Sequence, residues 1–151
     1  MPKVSLPVPH FRQSLNYTCV PAAARMALAH LGHSIDEATL ATKLDTKSFG
    51  TIVRNVQRIS SLGFSVSFGS SSLANVRSSL ELGAPVIVFV MTGSLKYWKL
   101  DVPHAVVVVG IDDENVYLND PWFDFAPQVS SIDDFLMAWA EFDHLAAFIS
   151  K

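Results

Sequence analysis

The chain has a single cysteine among its 151 residues, Cys19, so no intramolecular disulfide can staple it. That usage fits a reducing compartment. No apolar run reaches the roughly 18 residues that a membrane-spanning helix needs. The N-terminus, Met-Pro-Lys-Val-Ser-Leu-Pro-Val-Pro, has three prolines and no continuous apolar stretch, so it does not read as a secretory signal. A cytoplasmic protein is expected, or one exported by a route that leaves no such mark. Lys and Arg number 11 against 14 Asp and Glu, and they do not cluster. The electrostatic footprint of a nucleic-acid binder is therefore missing. Repeats, low-complexity tracts and interdomain linkers are absent, so residues 1–151 read as one domain. What is abundant is apolar side chain, at 50% of the chain, enough for a sizeable core.

Residues 2–10 read as extended, because their prolines bar a helix interior. An alanine-rich helix is predicted from Val20 to Leu31, with Gly32 as its cap. Ser34-Ile-Asp-Glu37 has capping-box spacing and predicts a second helix to Leu44. A third is expected from Thr51 to Gly63, with Ile52, Val56 and Ile59 on one face. Phe64–Phe68 alternates like a strand, and Ser72–Leu82 reads as a short helix. Pro85–Met91 is an apolar strand, and 92–103 a loop carrying Tyr97 and Trp98. Ala105–Ile111 and Val116–Asn119 form a hairpin about the turn Asp112–Asn115. Ser131 starts a last helix bearing Phe135, Leu136 and Trp139, and Leu145–Ile149 closes the chain as a strand. Helices crowd the first half and strands the second, which argues an α+β fold with an antiparallel sheet.

Cys19 falls at the start of the first helix, where partial positive charge and unpaired N–H groups favour a thiolate. His104 opens one hairpin strand and Asp120 follows the other, symmetric about Asp112. Residues so placed are cross-strand neighbours, within a residue or two of register. The carboxylate can then hold one imidazole nitrogen and leave the other for the thiol. On that view an amide at Asp120 still orients the ring, and Asp120→Asn is expected to cost less than His104→Ala. Gln13, six residues before Cys19, could donate its amide to the oxyanion beside the Cys19 N–H. His10, His30, His33 and His144 read as surface or helix-end residues. Trp122 reads equally as a cover for the His104–Asp120 pair or as a core aromatic. Tyr97 and Trp98 read as lining a cleft or anchoring their loop. One Cys without ligand-spaced partners makes no metal site, and no cofactor is expected.

The combination of Gln13-x5-Cys19, His104-Ala-Val-Val-Val-Val-Gly110 and Val116-Tyr-Leu-Asn-Asp-Pro121 resembles the papain-like fold. With Val8-Pro-His-Phe-Arg-Gln13 and Ala84-Pro-Val-Ile-Val88 it resembles, more closely, the C39 cysteine peptidases and their stand-alone relatives. The resemblance covers residues 4 to about 125. It implies Cys19 as nucleophile, His104 as base and later acid, Asp120 as the residue orienting His104, and Gln13 in the oxyanion hole. It also implies a peptide or protein substrate and removal of a leader from a small peptide. Val20 departs from the glycine that often follows the cysteine in that family. Other readings of the same site are an effector protease, a thiol acyltransferase or amidase, and a non-catalytic peptide-binding module.

Overall fold

The computed structural model describes residues 3–151. A seven-stranded sheet, all of whose pairs are antiparallel, forms its middle layer. The strands are β1 (Val4–Ser5), β2 (Ser65–Ser70), β3 (Val86–Met91), β4 (Pro103–Ile111), β5 (Asn115–Asn119), β6 (Gln128–Ser131) and β7 (Leu145–Ser150). Their order is β2-β7-β3-β4-β5-β6, with β1 added to β4. Four α-helices flank them: α1 (Cys19–His30), α2 (Glu37–Lys43), α3 (Leu73–Glu81) and α4 (Ile132–Ala140).

The alanine content of α1 has a packing reason. Ala23, Ala24 and Ala27 are buried in one cluster with Phe89, Ala105 and Val107 of the central strands. Small side chains let the helix axis approach the sheet closely, and this holds its first residue, Cys19, against the strands that carry the rest of the site. The opposite face of the sheet buries Val88, Val106 and Val108 under Val76 and Leu80 of α3 and Phe135, Ala138 and Trp139 of α4. The valines of β4 thus serve two cores, Val107 and Val109 on one side and Val106 and Val108 on the other.

Several expected elements are redrawn. Ser34 does not cap α2; Asp36 does, its carboxylate accepting from the Thr39 N–H at 2.7 Å. Glu37 is freed from the capping box and turns to Ser14, accepting from both its N–H and its hydroxyl. The expected third α-helix is a 3-10 helix over Val53–Leu62. Val53, Val56, Ile59 and Leu62 recur every third residue, which aligns them on a helix with three residues per turn. Ile52, assigned to that face from the sequence, lies before the helix and is 40% exposed. Strand β6 was not anticipated, because Gln-Val-Ser-Ser has too little apolar content to read as a strand. It pairs with β5 and hands Ser131 directly to the cap of α4, where its hydroxyl accepts from the Asp134 N–H at 3.1 Å.

Candidate active site

The hairpin that carries His104 and Asp120 is not symmetric about Asp112. Ile111 faces Val116 and Gly110 faces Tyr117, but Val108 then faces Leu118, so a bulge at Val109 shifts the register. Continued past its last pair, Val107 with Asn119, that register sets Asp120 opposite Val106. Asp120 is therefore one diagonal step from His104, on the same side of the sheet, and not its direct partner. His104 instead pairs with Val90 of β3. Without the extra residue the register would put Asp120 on the opposite side, because a slip of one residue reverses a strand's faces. Gly110 is needed at the bulge: a Cβ there would lie 2.8 Å from the Val4 carbonyl of β1.

The contact itself is made as expected. His104 Nε2 lies 2.7 Å from Asp120 Oδ1, and both residues are buried. An ionised carboxylate only accepts, so Nε2 carries the proton and Nδ1 is left for another partner. Cys19 is half-buried at the first position of α1, and its side chain interacts with the imidazole. Cys19 and His104 line one cavity. Burial alone would lower the His104 pKa, but the bond to Asp120 and the interaction with Cys19 outweigh it and raise the value to about 9. Burial likewise works against the Asp120 anion. The His104 bond and charge, with donation from the Trp122 N–H and the Trp98 indole, overcome it and hold the carboxyl below its ordinary range.

Sequence reasoning missed how fully Asp120 is held. Oδ1 also accepts the Trp122 N–H at 2.9 Å, and Oδ2 accepts the Tyr97 hydroxyl at 2.9 Å and the Trp98 Nε1–H at 2.8 Å. Burial, reinforced by the Asp120 charge, pushes the Tyr97 phenol far up, so it stays protonated and donates. Trp98 also meets the His104 ring edge-on, with centroids 4.9 Å apart. The Trp122 ring stacks on Trp98, with centroids 6.0 Å apart. His10 is not a simple surface residue: its Nε2 lies 2.8 Å from the Asp120 carbonyl oxygen. Only an aromatic pair in a long loop marked Tyr97 and Trp98 in the sequence, and that pattern has no spacing rule to a carboxylate.

Gln13 is buried ahead of α1. Its backbone N–H donates to the Pro121 carbonyl at 2.7 Å, which ties it to the residue after Asp120. Its Nε2 donates to the Leu15 carbonyl at 2.7 Å, and its Oε1 is buried without a partner among the described residues. Nε2 has two hydrogens, so one donor remains. Thr18, at the cap position of α1, uses its hydroxyl to close the turn back to Leu15 and makes no side-chain cap. The first N–H groups of α1 therefore keep their hydrogen-bonding capacity.

This architecture is shared with solved peptidase structures. The chain superposes on a protein from Bacillus anthracis described as C39-like peptidase with a TM-score of 0.82, at 20% identity, covering 100% of this chain and 98% of that one. The peptidase domain of Streptococcus ComA, a bi-functional ABC transporter involved in a quorum-sensing pathway, gives 0.77 at 23% identity, over 93% and 96% of the two chains. A double glycine motif protease from an AMS/PCAT transporter, solved in complex with the leader peptide, gives 0.73 at 16% identity, over 97% and 94%. In sequence, the chain is 32% identical over 111 residues to an uncharacterised protein of Methanothermobacter marburgensis, covering 73% of this chain and 69% of that protein. With a family match that runs from residue 5 to residue 147, taking in Gln13, Cys19, His104 and Asp120, the chain belongs to the Peptidase_C39 like family.

Proposed function

We propose that this chain is a cysteine peptidase that hydrolyses a peptide bond through a thioester on Cys19. The observation that carries the reading is the buried His104–Asp120 bond beside a thiol on the same cavity. Asp120 fixes the tautomer that aims Nδ1 at Cys19, and His104 takes the thiol proton. The thiolate attacks the carbonyl carbon, and the new oxyanion is met by the Cys19 N–H and the spare hydrogen of Gln13 Nε2. Collapse expels the amine, which leaves with the proton from His104. Water, activated by the same imidazole, then releases the acid and restores the thiol. The finer reading is removal of a leader from a small peptide, supported by the similar protease whose structure holds a leader peptide.

The direct test is intact-mass analysis after iodoacetamide treatment. Native protein is expected to take up one carbamidomethyl group at neutral pH faster than the unfolded chain does, and Cys19→Ala none. Equal rates for native and unfolded protein would remove the nucleophile assignment.

Gln13 is tested separately. Gln13→Ala is expected to lower kcat by roughly 10²–10³, the usual loss for one oxyanion donor, with KM little changed. Cys19 alkylation should persist, since the thiolate depends on His104 and the start of α1. A variant with normal turnover would leave Gln13 without an oxyanion role. Loss of alkylation as well would assign it to support of the 13–18 turn.

A further inference from the structure

The peptidase reading leaves open what the cavity beside Cys19 receives. Its volume is about 260 Å³. That is below the roughly 300–1,000 Å³ of sites for drug-sized ligands, and suits one large side chain. Cys19 and His104 stand on its wall; Val20, Phe49, Val53, Phe89 and Phe142 give it apolar surface, and Asn16, Ser48 and Thr51 also line it. Among the described residues no Lys, Arg, Asp or Glu lines it. A cationic side chain entering there would lose water and meet no carboxylate.

Phe49 is the unusual member, being 75% exposed. It sits at the tip of a two-residue turn closed by Lys47 N–H to Gly50 O and Gly50 N–H to Lys47 O, both 2.9 Å. The Thr46 and Thr51 hydroxyls bond at 2.8 Å beneath that bridge. Gly50 has a φ of +113°, a conformation that a side chain would strain. The turn thus holds an aromatic ring in solvent at the cavity, with little inside the protein to cover it.

Resting on the peptidase reading, we infer that this cavity takes a bulky apolar side chain of the substrate next to the cleaved bond, and that Phe49 determines the preference. A leucine or phenylalanine side chain displaces water from the apolar part of the wall and covers the Phe49 ring. Glycine leaves both wet. The substrate class is then a peptide with a large apolar residue at or just before the cleaved bond. That differs from the double glycine motif named for one of the similar proteases.

Peptidyl fluoromethyl ketones test this, because the thiolate displaces fluoride and forms a thioether whose mass identifies the probe. One series places Gly, Leu or Phe at the reacting residue. A second keeps glycine there and varies the residue before it. In one of the two series, the Leu or Phe probe is expected to label Cys19 at least about 10-fold faster than the glycine probe, the low end for apolar-pocket discrimination. Phe49→Ala is expected to cut that ratio at least about threefold while thermal melting confirms the fold. Equal or glycine-favouring rates in both series would overturn the inference, and so would an absence of labelling by any probe while iodoacetamide still reacts preferentially with the native thiol. An unchanged ratio in Phe49→Ala would remove Phe49 from it. If iodoacetamide itself shows no native preference, the peptidase reading fails first and the inference falls with it.

Discussion

Cys19→Ala and His104→Ala are each expected to abolish peptide hydrolysis, lowering kcat by roughly 10⁴–10⁶, the range for loss of a nucleophile or its base. The two act on one proton. Without the imidazole the thiol is not activated, and without the sulfur the imidazole has nothing to activate. The double variant should therefore be scarcely slower than either single one. Multiplying losses would show that the pair does not work as a unit. His104→Ala also leaves Asp120 buried without its cationic partner, though the Tyr97, Trp98 and Trp122 donors remain. Its melting temperature must accompany the kinetics, so that a lost fold is not read as lost chemistry.

Asp120→Asn is expected to cost less than either of those changes but still heavily, with a loss of roughly 10³–10⁴ in kcat. The carboxylate offers two acceptor oxygens, and four donors use them. Asparagine offers one. The Trp98 indole and the Trp122 backbone amide cannot reverse into acceptors. If the amide oxygen turns to Trp98, the NH₂ faces His104 and imposes the tautomer whose proton sits on Nδ1, toward the sulfur. If it turns to His104, the NH₂ abuts the indole N–H. Neither arrangement satisfies the site.

The same change carries a pH signature. Asp120 is the largest influence holding the His104 pKa up to about 9 against burial, so its neutralisation lets burial pull the value down. The alkaline limb of kcat/KM, where the imidazolium loses its proton, is expected near pH 9 in the wild type and at lower pH in Asp120→Asn. In folding terms, a raised histidine pKa stabilises fully below its ordinary 6.5. The contribution is lost as pH rises toward about 9. Near-normal turnover with an unmoved alkaline limb would contradict the assignment of Asp120.

The candidate site's parts were legible as candidates because each has a local mark: a thiol at a helix start, an imidazole opening a strand, an acid after the returning strand. Their exact relation was less so. Counting outward from Asp112 finds His104 and Asp120 adjacent, but it cannot see the bulge at Val109, which depends on β1 lying against Gly110. Ser34 and Asp36 both offer a cap oxygen, and the choice fell to Asp36 because Glu37 has a better partner in Ser14, 23 residues away. The Tyr97 and Trp98 donors likewise come from a loop whose path is set by tertiary contacts. Patterns within one element were readable; bonds between distant elements were not.

The position of β7 bears on biosynthesis. It lies between β2 and β3 in the sheet, although its residues, 145–150, follow every site residue in the chain. A nascent chain that has emerged only through Asp120 already contains the thiol, the imidazole and the carboxylate. It lacks the strand that bonds Val86–Val88 and the whole of β2. The wall that backs Phe89 and α1 stays open until Ala147 and Ile149 arrive to fill the core. Closing so long-range a pairing is also slow. On the peptidase reading, synthesis order would then act as a timer: a half-made chain carries the candidate nucleophile, base and acid before β7 arrives to complete the sheet behind them.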